Sequence, residues 1–370
     1  FTPWRPSTSA NESAIILAAL ENSELTYEKK HELNIGLALG FVDNRINVEF
    51  DWYRRNNFDL IGYTQTMGVG GVTTKLANDA TMESTGCEFT ISTTNIKTKD
   101  FKWTTDWIFG WAENTITKLD SRSQVYSLVN GVGRTEGRPI GALYSIPFAG
   151  LTEEGLPTFF IDAEHTQVVG PGNYAAIYFQ EYENIDYLKY EGTIDPKITG
   201  SFGNTFSWKG LKLNVFFTYS FGNVLRLDNL CPVYSSDYSD LTASMKEMKN
   251  RWMVPGDENV TTIPSIPTVR QMREIDALNN AYSAYNYSTE RVAKGDFIRL
   301  KELSLAYDLP KKYFEGQNAV SSFGVKLSAT NLWLAYADKK LNGRDPEYYN
   351  TGGVSSPVPR QFTLTVKLGF

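Results

Sequence analysis

The residues best equipped for catalysis or metal binding are few and scattered. His31 and His165 are the only histidines, and neither sits in an HExxH spacing, so the sequence gives no support to a zinc hydrolase. Cys87 and Cys231 are the only cysteines, and neither lies in a CxxC. Two such thiols make no disulfide framework and read as unpaired, buried or interfacial side chains. The cluster Gly68-Val69-Gly70-Gly71 invites a phosphate cradle, but Thr73-Thr74-Lys75 follows where Gly-Lys-Ser/Thr is needed. Asp257-Glu258 beside Gly256 lacks the remaining ligand positions of a calcium loop. Asp345 and Glu347 pair two carboxylates, in a loop. No catalytic residue, metal site or cofactor is therefore expected. What remains is aromatic: Tyr144, Tyr174, Tyr178, Tyr182, Tyr234, Tyr238, Trp252, Tyr348 and Tyr349, all in segments without regular periodicity. Such rings stack on sugar faces or anchor peptides, and they dominate recognition surfaces at low entropic cost. The competing reading for each ring is loop packing or contact with a partner protein.

The elements that position these rings are strands. Leu33, Ile35, Leu37, Leu39 and Phe41 alternate with small or polar residues; the tight-turn signal Asp43-Asn44 leads to Ile46, Val48, Phe50 and Trp52. Trp103, Thr105, Trp107, Phe109 and Trp111 share one face of another strand. Three tryptophans and a phenylalanine on one face are an aggregation hazard in water and none against lipid. Ile198, Phe202, Phe206 and Trp208 precede the two-residue connection Lys209-Gly210, and Leu211, Leu213, Val215, Phe217, Tyr219 and Phe221 follow it. The chain ends on Phe362, Leu364, Val366, Leu368 and Phe370, which share a face opposite Gln361, Thr363, Thr365, Lys367 and Gly369. Taken alone, that strand suits a soluble sandwich as well as an outer-membrane barrel.

Composition and connections separate the two. Aromatics make up 14% of 370 residues, which suits a membrane girdle or a sugar-binding surface. The net charge of −6 with no basic stripe argues against nucleic acid. The longest apolar run, Ala14 to Leu20, falls short of the roughly 18 residues of a spanning helix and suits a packed helical turn. Phe1 without Met or signal peptide suggests a mature or truncated piece. Nine strands are legible, and their connections alternate short and long, with long segments at about 56–81, 120–193, 223–295 and 336–359. Loops beyond about 12–15 residues are uncommon in compact domains unless functional. All the long ones at one end is the pattern of a transmembrane barrel, with short periplasmic turns and long extracellular loops.

Several segments carry a family resemblance. They are Leu25-Thr26-Tyr27-Glu28-Lys29, Asp51-Trp52-Tyr53-Arg54-Arg55, Gly137-Arg138-Pro139-Ile140-Gly141 and Thr193-Ile194-Asp195-Pro196-Lys197-Ile198-Thr199-Gly200. Further along come Gly295-Asp296-Phe297-Ile298-Arg299-Leu300-Lys301, Asn331-Leu332 and Asp345-Pro346-Glu347. In this order they resemble the C-terminal part of a SusC/RagA-type TonB-dependent outer-membrane transporter of Bacteroidetes. The resemblance implies an all-β, antiparallel transmembrane β-barrel, with residues 1–370 supplying about nine C-terminal strands of a barrel of about 22. The plug domain and N-terminal strands are expected outside this chain. The implied role is nutrient import, of an oligosaccharide or a peptide. The implied partners are a SusD-like surface lipoprotein as lid, TonB through the N-terminal plug region, the remaining barrel strands and the lipid bilayer. A passive porin-like channel and a soluble secreted all-β binding protein are the alternatives. Deleting 223–295 while keeping the barrel assembled is expected to abolish co-purification of the lipoprotein or growth on the substrate.

Overall fold

The structure, a computed structural model, describes residues 2–4, 14–16, 22–68, 73–230, 246–310, 313, 321–349 and 359–369. Nine long strands form one antiparallel sheet in which chain order is spatial order. They are β1 (Lys29–Phe41), β2 (Ile46–Gln65), β3 (Thr74–Lys97), β4 (Phe101–Leu119) and β5 (Ile198–Trp208), then β6 (Leu211–Phe221), β7 (Phe297–Asp308), β8 (Ser322–Ala337) and β9 (Gln361–Gly369). β1 and β9 are its two edges, and they do not pair with each other. The turn after β1 has Val42, Asp43 and Asn44 all in the left-handed region, with Arg45 N–H donating to Val42 O at 3.1 Å. Lys209 and Gly210 both take positive φ, which matches the twist of a two-residue hairpin.

Register carries the expected alternation across the whole sheet, because residues directly opposite in an antiparallel ladder share a face. One row runs Leu37–Phe50–Phe89–Phe109, and its neighbour runs Leu39–Val48–Ile91–Trp107–Phe202–Phe217. Phe50 and Phe89 lie 4.6 Å apart between ring centres, and Trp103 stacks on Phe206 at 5.6 Å. Leu213 and Val215 stand opposite Leu305 and Leu303. Glu49, Asp51, Glu88 and Asp106 lie on the other face. Asp51 is directly opposite Glu88, a like-charge pairing that only a wet surface tolerates cheaply. One row departs from the pattern: Asn204 and Thr105 sit on the apolar face. There Asn204 Oδ1 accepts from Trp103 Nε1 at 2.9 Å and from Thr105 Oγ1 at 2.7 Å. A polar group facing hydrocarbon is tolerable when its bonds close internally, as here.

Two expectations change. Residues 56–81 are not an irregular loop, since β2 and β3 continue through most of them and leave only 66–73 as the connection. The alternation is hidden because register shifts at Asn57/Leu60 and Leu60/Ile61, and Asp59 takes a positive φ of 56°. A bulge of this kind moves every later side chain to the opposite phase. The apolar run 14–20 does not read as helix where it is described, because Ala14–Ile16 pairs as a strand with Thr2–Trp4. Phe370, Cys231 and Gly70-Gly71 lie outside the described residues.

Small residues let the sheet accept its rings. Tyr53 lies across Gly86, where an added Cβ would meet the ring at 2.5 Å and Trp111 O at 2.8 Å. The backbone oxygen cannot give way as a flexible side chain can. Gly86→Ala should therefore destabilise the folded protein by about 1–3 kcal/mol. Urea titration of the assembled full-length protein measures this, and an unchanged midpoint would show that the strands part easily here.

Candidate functional site

The apolar core of this chain is not in the sheet. Within the nine strands, the buried apolar residues among those described are Ala80, Ile116, Phe297 and Ala329. The main cluster joins Val125, Leu128, Val129, Ile146, Leu156, Phe159 and Tyr174 to Leu230, Met248, Leu278, Ala281, Tyr282 and Tyr285. Segment 120–193 and the described parts of 223–295 thus fold as one cap over the strand ends, on one shared core. Helix α1 (Val125–Val129) buries Val125, Leu128 and Val129. Helix α2 (Val269–Glu274) opens with a capping box in which Thr268 and Gln271 satisfy each other's backbone N–H groups. Helix α3 (Leu278–Asn286) buries Leu278, Ala281, Tyr282 and Tyr285, the i, i+3, i+4, i+7 stripe of an amphipathic helix. Deleting 223–295 would strip Leu230, Met248, Leu278, Ala281, Tyr282, Ala284 and Tyr285 from the shared core and expose the rest. That deletion therefore tests folding rather than partner binding.

Three arginines, Arg226 half-buried and Arg291 and Arg299 buried, tie the cap together and to the sheet. Arg226 gives Nη1 to Ser145 Oγ (3.1 Å) and Ser288 O (3.0 Å), and Nη2 to Val129 O (3.0 Å) and Tyr144 O (2.5 Å). Its Nε is sealed from solvent, and burial pushes the guanidinium down to about 10. Arg291 binds Glu247 at 2.5 Å and Asp228 O at 2.7 Å. Arg299, whose side chain is 5% exposed, binds Asp345 at 2.5 Å and Glu347 at 2.8 Å. Sequence reading missed Arg226 and Arg291. The available signal for Arg226 was a lone cation inside the apolar run Val224-Leu225-Arg226-Leu227.

Three of the quoted segments converge where the cap meets the sheet. Ile140 N–H donates to Asn114 Oδ1 (2.8 Å), Ile194 N–H to Gly141 O (2.9 Å) and Ala112 N–H to Lys197 O (2.9 Å). Between them opens a cavity of about 260 Å³, lined by Tyr53, Arg55, Asn114, Pro139, Asp195 and Lys197 among others. The Arg55 guanidinium covers one face of the Tyr53 ring at 4.2 Å, and Lys197 pairs with Glu113 at 2.5 Å. Its cations are thus already matched by carboxylates or rings.

The aromatic candidates divide by burial. Tyr174 is fully buried, its hydroxyl donates to Pro157 O at 2.8 Å and burial pushes its phenol up. It is a packing residue, which corrects the contact expectation for it. Tyr144 is half-buried, shares a 2.7 Å hydrogen bond with Thr135 and lies against Tyr190. Trp252 packs on Gly155, held at a φ of 75°, and its Nε1 donates to Glu258 at 3.0 Å. Tyr348 and Tyr349 are half-buried, with Arg344 over the Tyr349 ring. Tyr178 and Tyr182 are 57% and 43% exposed. They flank the segment whose carbonyls at Phe179 and Glu181 receive the Tyr126 and Val125 N–H groups, and Tyr126 itself is 48% exposed. Tyr234 and Tyr238 lie outside the described residues.

This sheet with its cap has known counterparts. A solved structure of the RagAB peptide transporter superposes on all of this chain with a TM-score of 0.73, at 24% identity and over 38% of that chain. A curated TonB-dependent receptor P3 of Formosa agariphila is 27% identical over 393 residues. That alignment takes in 97% of this chain and 36% of the relative. The TonB-dependent receptor SusC of Bacteroides thetaiotaomicron is 35% identical over 99 residues, 26% of this chain and 10% of SusC. The chain resembles the SusC/RagA-type TonB-dependent outer-membrane transporters. No family model matches it. It spans little more than a third of the length of the curated receptors it matches over most of its own residues. The nine-stranded sheet is accordingly a portion of an antiparallel transmembrane β-barrel. The SusC/RagA likenesses indicate an outer-membrane location, and the matched proteins are receptors and transporters rather than enzymes.

Proposed function

We propose that this chain is the wall and extracellular cap of a nutrient importer of the outer membrane. The importer takes up a peptide or an oligosaccharide and works with a SusD-like surface lipoprotein as its lid. TonB would act through a plug region outside these residues, and further strands of the longer protein would pair with β1 and β9. The observation that supports the reading is that two long segments share one apolar core and leave Tyr126, Tyr178 and Tyr182 exposed. Rings held on a rigid scaffold give recognition area with little loss of side-chain freedom. Tyr144, Trp252, Tyr348 and Tyr349 support the cap and are secondary candidates for contact.

The test is a Tyr178→Ala/Tyr182→Ala double variant of the full-length protein, with heat-modifiable migration confirming an assembled barrel. Growth on the imported nutrient, or co-purification of the lipoprotein, should fall at least fivefold, a modest demand for two truncated aromatic contacts worth about 1–2 kcal/mol together. Wild-type growth together with wild-type co-purification would remove these rings from both roles.

A further inference from the structure

The third long connection is fastened differently from the other two. Residues 338–349 run as a strap from the end of β8 across the base of the cap. One apolar side chain is fully buried in it: Leu341, against Leu225, Leu227 and Ala293. Pro346 is also buried and Tyr349 packs beside the same cluster, and the remaining contacts are polar. The Asp338 carboxylate accepts from Lys294 N–H at 2.8 Å and Lys340 N–H at 2.9 Å, and Lys340 Nζ donates to Val292 O at 3.3 Å. Asn342 Nδ2 donates to Glu247 at 3.0 Å, and Arg344 pairs with Asp228. Asp345 and Glu347 close on Arg299, the most buried of these contacts.

We propose that this strap is a releasable latch, able to leave the sheet as a unit while segments 125–188 and 246–291 stay folded. Segments with few buried apolar contacts open locally at far lower free energy than the core they border. The cap core is a continuous apolar cluster spanning two long segments, whereas the strap is held by Leu341, Pro346 and Tyr349 and otherwise by ion pairs and hydrogen bonds. Removing one member of a buried ion pair leaves the other charge uncompensated, so Arg299 is where the latch is set. Register places Arg299 opposite Thr218, which is opposite Ser201, on the face away from the apolar rows. Release therefore uncovers a guanidinium on the lumen wall, freed from two carboxylates and open to an anionic group. It also carries Tyr348 and Tyr349 off the cap.

Hydrogen exchange of the full-length protein in detergent, read by mass spectrometry on peptides covering 338–349 and 278–286, tests this directly. The strap amides should exchange at least tenfold faster than those of α3. Arg299→Gln should speed the strap at least a further tenfold and leave α3 unchanged. Equal rates in the wild type, or parallel acceleration of both peptides in the variant, would mean strap and cap open as one unit and would overturn the proposal. If Arg299→Gln does not assemble, Glu347→Gln keeps the Asp345 contact and serves in its place. Acceleration confined to 338–349 supports the latch, and no acceleration, or acceleration shared with 278–286, refutes it.

Discussion

Replacing Arg226 with alanine should destabilise the cap by about 3–5 kcal/mol, because Val129 O, Tyr144 O and Ser288 O lose a charged donor at once and a cavity opens among them. Each unsatisfied buried acceptor costs on the order of 1–3 kcal/mol, and water entering the cavity recovers only part of the sum. The guanidinium joins three stretches of chain that are far apart in sequence, so the loss is felt across the cap. The barrel, whose ladders do not pass through Arg226, should stay assembled. Limited proteolysis between residues 125 and 291, alongside unchanged heat-modifiable migration, reads the two effects separately. An Arg226→Ala protein as protease-resistant as the wild type would show that the four hydrogen bonds are dispensable and that apolar packing alone holds the cap.

The second large effect lies on the lipid side. Val215 is near the middle of β6, on the face it shares with Leu213, Phe217 and the opposing Leu303. Val215→Arg should cost about 2–4 kcal/mol in a bilayer if that position is near the midplane. Asn214, one residue away, faces the other side beside Thr205. Asn214→Arg, on the wet side, should cost about 1 kcal/mol or less, since it removes only the hydrogen bond from Thr205 Oγ1. Urea titrations of the full-length variants folded into vesicles compare the two. Equal costs would mean that the face assignment from register is wrong.

How much of this was legible follows from the physics of each element. A wall one layer thick has lipid on one side and water on the other, so its strands must alternate, and alternation is visible in sequence. Leu33 to Phe41 and Leu211 to Phe221 read correctly for that reason. Alternation fails where a bulge changes phase, and the Asp59 region concealed the outer halves of β2 and β3. The cap was harder, because its elements are short and each is stabilised by residues far away in sequence. Even so, Thr268 with Gln271 carried a capping-box signature, and Leu278, Ala281, Tyr282 and Tyr285 carried a helical stripe. Burial was the part no local pattern could supply. Tyr174 and Tyr178 are four residues apart in the same irregular stretch, yet one is sealed and the other is more than half exposed.

The placement of the core has a consequence for biogenesis. Ile146 N–H bonds to Tyr287 O, and Phe148 N–H to Thr289 Oγ1 across 141 residues of chain. No shorter piece of the polypeptide can complete that cluster, so Val125, Leu128, Ile146 and Phe159 leave the ribosome well before their partners exist. Contacts of such high sequence separation form slowly, since chain closure must precede any gain from them. On its way to the membrane the nascent protein therefore carries two sets of unburied apolar side chains: those destined for lipid and those destined for the cap. A holding chaperone in the periplasm would have to shield both, and the cap set is released only once strands β4 to β7 bring its two halves together.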